Sequence, residues 1–184
     1  MTRIFLVFVT LTGLALIASA VSGVLSWQQG GLTREGSVYL THFVLGLFTA
    51  LAVLLTHCLA ITYFLGTGRW VKEVCIEYRL PDERWPRQTR EIKRKNTPRA
   101  ILAMLVTIAT AAAGAGRQNF DWPAWIHAAL AGTALVVNAM AWVVEYRNMR
   151  TNIRILDEVY AETDRMRAEL GLPSNEEAMR QERG

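Results

Sequence analysis

Three histidines are the residues of this 184-residue chain best suited to chemistry, and His42, His57 and His127 all lie inside apolar runs. A histidine in such a run has no bulk water around it, so its ring nitrogens must find a protein partner, a proton or a ligand. His42 lies four residues in from Val38, and His127 lies five in from Trp122. If both runs begin on the same side of a membrane, the two imidazoles sit at nearly the same depth on different helices. Two imidazoles facing each other across a helical bundle are what a six-coordinate b-type haem requires, one axial nitrogen from each. One and two turns further along stand Gly46 and Thr49 after His42, and Ala131 and Ala134 after His127, all small enough to leave room for a macrocycle. Arg34 and Arg117 lie at the same end and supply cations for haem propionates. The expected cofactor is therefore haem b. His42 and His127 are its expected axial iron ligands, with Arg34 and Arg117 beside it.

His57 stands apart from this pair. It is 15 residues beyond His42, about 22 Å along a helix axis and about 60° round it. A second haem at that level needs a non-histidine ligand such as Met104. The plainer use of His57 is an interhelical hydrogen bond to Asn138, which shares a stripe with Ala131, Ala134 and Ala141. The same plain role is open to His42 and His127, and a quinone or a metal ion would draw on the same two residues. Without a nearby carboxylate, two histidines make a thin site for a bare metal ion.

The layout of four spans with the His42/His127 pair resembles, in outline, the helical-bundle cytochrome b subunits of respiratory complexes and the cytochrome b561 type. That resemblance implies an electron-transfer subunit. Two-haem members need four histidines, and this chain has three.

The elements that must position these side chains are read from hydropathy. Hydrophobic residues make up 52% of the chain and gather in long runs, the pattern of a polytopic membrane protein. Val38 to Leu65 carries no formally charged side chain at all. The expected fold class is all-α, a four-transmembrane-helix bundle with a cytoplasmic amphipathic loop and a C-terminal cytoplasmic helix. Spans are expected at about 4–27, 38–66, 98–116 and 122–146, with a basic loop at 67–97 and a tail at 148–184. The first run continues past the small-x-small pattern Ala18-Ser19-Ala20 to Leu25 and Trp27, so it reads as a retained span rather than a cleaved signal peptide. Gly66-Thr67-Gly68 reads as an interfacial break, and Thr97-Pro98 as a helix start. The third span contains Ala109 to Gly116, ATAAAGAG, whose small side chains suit the packed centre of a bundle.

Residues 69–99 hold ten Lys/Arg against five acids, whereas loops 28–37 and 117–121 hold one Lys/Arg each. The positive-inside rule then puts 69–99 and both termini in the cytoplasm, as in a protein of a bacterial inner membrane. Trp70, Val74 and Tyr78 predict an amphipathic helix that Pro81 ends, and Trp85-Pro86 a second turn. The net charge of +4 is explained by this loop. No zinc-finger, RNP or arginine-rich motif points to nucleic acid. Cys58 and Cys75 form no pair within disulfide reach. Nothing resembles a phosphate loop, a transporter repeat or a serine with a base at catalytic spacing. Glu145 falls at the inner boundary, so no acid is expected within the spans. These exclusions leave an electron carrier or a non-catalytic subunit.

The tail carries Met149, Asn152, Leu156, Val159, Thr163, Met166 and Leu170 at alternating steps of three and four. This is either a weak coiled-coil seam for a partner or a helix packed on the chain's own basic loop, stopped by Gly171 and Pro173. Ser174 to Gly184 is expected to fray. Two function classes follow. The first is a b-type cytochrome subunit. The second is a cofactor-free accessory subunit that assembles with other membrane-protein subunits, or with itself, through the basic loop and C-terminal helix. Lipid is a partner in both.

Overall fold

The computed structural model of this chain describes residues 1–28 and 37–181. It is all-helical among those residues: α1 (Thr2–Gln28), α2 (Ser37–Glu77), α3 (Trp85–Phe120), α4 (Ala124–Glu169) and α5 (Asn175–Gln181). The first four are each long and apolar enough to cross a membrane. They divide into two compact units. One comprises Met1–Ile61 with Asn96–Tyr146, and the other comprises Thr62–Lys95 with Arg147–Gly184.

The first unit has its solvent preference inverted relative to a water-soluble protein. Leu11, Leu14, Phe48 and Leu51 are about 60% exposed, while Thr12, Thr56, His57, Thr107, Asn138 and Glu145 are buried. Lipid is as apolar as leucine, so helices in it associate through small and polar residues rather than through large apolar ones. Hydrogen bonds accordingly tie the helices: Thr12 to Thr56 at 3.1 Å, and Thr49 Oγ1 to the Ala15 carbonyl at 3.3 Å. The alanine-rich stretch of α3 does not sit at the centre. Ala113 is buried, but Ala111, Ala112 and Ala115 are exposed. The buried polar cluster of His57, Asn138 and Glu145 lies between α2 and α4, and Asn138 joins it to Thr107 of α3.

Three sequence expectations are corrected by helix continuity. Gly66-Thr67-Gly68 is no break, since α2 continues through it to Glu77. Thr97-Pro98 is no start: α3 begins at Trp85, with Pro86 in its first turn, and passes through Pro98. Proline inside a helix costs about 3 kcal/mol through its missing N–H and its clash with the preceding turn. Buried residues at Trp85, Thr89, Ile92, Asn96, Ala100, Ala103 and Thr107 keep one face packed across the proline, which offsets that cost. The tail is likewise no separate helix, because α4 carries on unbroken from Ala124 to Glu169.

In the second unit the α4 seam is packed on the chain's own residues. Met149, Asn152, Ile155, Val159 and Thr163 are buried. Asn152 Nδ2 donates to Tyr63 Oη at 3.2 Å and Thr67 Oγ1 at 2.9 Å, Trp70 packs on Tyr160, and Trp85 Nε1 donates to Glu158 at 3.0 Å. Ile155 takes the place expected of Leu156, and Leu170 is 72% exposed because the helix has already ended. As expected from Pro81, α2 stops just before it; Arg79 is left-handed (φ 54°) and the Leu80 N–H closes on the Cys75 carbonyl at 2.8 Å. At the end of α4 the left-handed residue is Gly171 (φ 69°). The residues after Ser174 are not all frayed: α5 docks through the Asn175 side chain to Thr163 and Asp164.

Candidate functional site

His42 occupies the second turn of α2, and His127 the first turn of α4. Both are half-buried. Their ring centroids lie 6.1 Å apart with an interplanar angle of 74°. The structure therefore brings together the two histidines paired from sequence depth alone.

Each ring is held the same way by the helix that precedes its own. His42 Nδ1 lies 3.1 Å from the Ser19 carbonyl oxygen and 3.2 Å from Ser22 Oγ, whose own hydrogen goes to the Ser19 carbonyl at 2.8 Å. His127 Nδ1 lies 2.9 Å from the Thr110 carbonyl oxygen. A carbonyl only accepts, so each Nδ1 carries the hydrogen and each neutral ring presents its lone pair at Nε2. Four residues beyond each carbonyl stands a glycine against the ring. A Cβ on Gly23 would meet His42 Cε1 at 2.9 Å, and one on Gly114 would meet His127 Cε1 at 3.1 Å. The arrangement is thus repeated, Ser19/Gly23/His42 on α1 and α2 and Thr110/Gly114/His127 on α3 and α4. The sequence contains this signal as Ser19-xxx-Gly23 and Thr110-xxx-Gly114, each ahead of a histidine, but only the packing reveals which glycine each ring touches.

The small residues expected to make room for a ligand have another role on α2. Gly46 faces Ser19 Oγ, and Thr49 bonds α1, so both serve the α1–α2 contact. Arg117 lies in the last turn of α3 and donates to the Trp122 carbonyl at 3.3 Å across the α3–α4 turn. That turn is tight: Asp121 is left-handed (φ 54°), and Gly116 leaves space for the Trp122 ring, which a Cβ would meet at 2.6 Å. Arg34 lies outside the described residues.

His57 is fully buried at another level of the same α2–α4 seam. Its Nε2 is 2.9 Å from Asn138 Oδ1, the partner expected from the sequence, and its Nδ1 is 2.8 Å from Glu145 Oε1. Both ring nitrogens are engaged, so His57 offers no lone pair to a second haem. Met104 Sδ instead lies 3.9 Å from Cys58 Sγ. Glu145, placed at a membrane boundary by residue counting, is 0% exposed inside the first unit. Residue counting gives position along the helix; the partner that buries this acid sits on another helix.

Among the described residues no group of three or more His, Cys, Asp or Glu is placed to hold a metal ion. The His42/His127 pair is thus short of ligands for a bare ion. The two imidazoles would together hold an iron that brings four nitrogens of its own, and such a group would supply a one-electron couple. Ring N–H groups held by backbone carbonyls are also the usual outer-shell support of ligating histidines. No protein-family model, curated protein or solved structure matches this chain.

Proposed function

We propose that this chain is an integral membrane, b-type cytochrome subunit that holds one haem b between His42 and His127. The observation that carries the reading is the tethered pair: two rings 6.1 Å apart, each with Nδ1 turned to a carbonyl and Nε2 presented as a lone pair. When bound, a bis-imidazole haem supplies a one-electron couple and no open position for substrate. The chain's own residues do the rest. The Ser19 and Thr110 carbonyls fix tautomer and ring orientation, Gly23 and Gly114 set how closely each ring approaches its neighbouring helix, and Arg117 supplies positive charge for a propionate at that end.

The excess of Lys/Arg in 69–99 supports an orientation with the second unit and both termini in the cytoplasm, in a bacterial inner membrane. The histidine pair is then near the outer face. An electron carrier needs a donor and an acceptor, which places other membrane-protein subunits, or a second copy, among its partners. The buried side of the C-terminal seam is not open to them, since Met149, Asn152 and Val159 already pack within the chain.

The test is a reduced-minus-oxidised absorbance spectrum of protein purified under haem-replete conditions, with a pyridine extract to identify the haem. Sharp Soret and α bands near one haem per chain are expected. They should be lost in both His42→Ala and His127→Ala and kept in His57→Ala. A flat spectrum from folded protein refutes the reading and returns the chain to the accessory-subunit class.

A further inference from the structure

A second buried constellation, 15 residues along α2 from His42, takes no part in holding a haem. His57, Asn138 and Glu145 are fully buried, with Thr107 and Trp142 around them. The direction of each hydrogen follows from the partners. Asn138 Nδ2 has two acceptors, the Ala134 carbonyl oxygen at 2.7 Å and Thr107 Oγ1 at 3.1 Å. The Thr107 hydroxyl gives its own hydrogen to the Ala103 carbonyl at 2.9 Å. The amide oxygen of Asn138 is therefore the atom turned to His57, and His57 Nε2 must carry a hydrogen to donate to it. At the other nitrogen, two lone pairs cannot face each other across 2.8 Å, so one proton lies between His57 Nδ1 and Glu145 Oε1. The pair is then neutral overall, whether that proton sits on nitrogen or on oxygen.

Two polar atoms beside it remain without a hydrogen-bond partner among the described residues: Glu145 Oε2 and Trp142 Nε1. The indole stacks on His57, with centroids 6.1 Å apart and planes at 19°. Trp142 and Glu145 are three residues apart on α4, hence neighbours on one face, about 5–6 Å between Cβ atoms. One orphan atom only donates and the other accepts. A water between them would accept from the indole N–H and donate to the carboxyl oxygen.

We propose that His57 and Glu145 form a buried proton-binding site, holding one bridging proton and reached through a water bound between Glu145 Oε2 and Trp142 Nε1. A proton arriving through that water on Oε2 gives a singly positive pair, imidazolium beside carboxylic acid. Its departure restores the neutral pair, and no heavy-atom bond or electron moves. The titratable groups facing this point are His57 from α2 and Glu145 from α4. From α3 the contact is Thr107, and from α1 it is Gly13 against the Trp142 ring, neither of which titrates.

The test uses full-length protein in lipid bilayers, with infrared spectra in H2O and D2O and nitrogen-15 spectra of labelled histidine. The expected result is a carboxylic-acid C=O band or an imidazolium ring band that shifts in D2O and is missing from Glu145→Gln. His57 Nε2 should carry hydrogen throughout, and the Trp142 indole proton should show a cross-peak to water. Trp142→Phe should slow the D2O shift roughly tenfold, the effect of losing one hydrogen bond to the water. Ionised Glu145 beside a neutral imidazole, a band indifferent to D2O, or an exchange rate unchanged by Trp142→Phe overturns the proposal. The wild-type spectra decide the matter even if Glu145→Gln does not fold.

Discussion

Glycine-to-alanine substitutions along the helices measure directly how tightly the imidazoles are held. A Cβ on Gly132 meets nothing within 4 Å, so Gly132→Ala gains the full helix preference of alanine, about 1 kcal/mol. On Gly23 the added methyl lands 2.9 Å from His42 Cε1, where ordinary contact begins at 3.4 Å, so the ring must withdraw by about 0.5 Å. Withdrawal stretches the 3.1 Å bond from Nδ1 to the Ser19 carbonyl. Crowding costs about 1–3 kcal/mol, and a lost hydrogen bond costs about 1 kcal/mol. Less the helix gain, Gly23→Ala is expected to destabilise by about 1–3 kcal/mol. Gly114→Ala, with its contact at 3.1 Å, should fall between the two. The assay is denaturant unfolding of bilayer- or micelle-embedded protein followed by tryptophan fluorescence, with the haem bands recorded on the same samples. The expected order of stability is Gly132→Ala, then wild type, then Gly114→Ala, then Gly23→Ala, and the haem bands should weaken in the same order below wild type. Equal stabilisation by Gly23→Ala and Gly132→Ala would refute the packing of His42 on α1.

Asn138→Ala leaves His57 Nε2 and Thr107 Oγ1 without their partner and should cost about 1–3 kcal/mol for each group stranded, read by the same unfolding assay. Glu145→Ala strands His57 and should cost about 3–5 kcal/mol, whereas the double change His57→Leu with Glu145→Leu should recover most of it; additive losses in that cycle would mean the two side chains do not interact. Ser174 and Glu177 form a capping box at the start of α5, and the Ser174 backbone N–H and hydroxyl hold the Glu177 carboxyl below its usual range. A depressed carboxyl contributes stability that is fully present above its unfolded value and is lost as pH falls through the folded one. Protection of the amides in 175–181, taken relative to their intrinsic exchange rate at each pH, should therefore fall on acidification, and Glu177→Gln should remove that loss.

Hydropathy along the chain is enough to set the class of this protein. Four long apolar runs can only be helices in lipid, because every backbone group there needs a partner within its own segment. The His42/His127 pairing is legible in the sequence too, since two runs of the same direction place residues four and five positions in at one depth, and so is the His57–Asn138 contact, since a polar side chain within an apolar run needs a partner on another helix. Helix ends near Pro81 and Gly171 were legible from their chemistry. Tertiary structure alone decided the rest. Continuity of α3 through Pro98 rests on a buried face running from Trp85 to Thr107, whose worth depends on what it packs against. Helical propensity cannot see that term. The same holds for Glu145: hydropathy scores an acid as a boundary residue, and only His57 on another helix, 2.8 Å away, makes its burial possible. Gly23 and Gly114 were two glycines among thirteen in the sequence. What singles them out is the imidazole resting on each, a fact of neighbours in space that no spacing along one chain encodes.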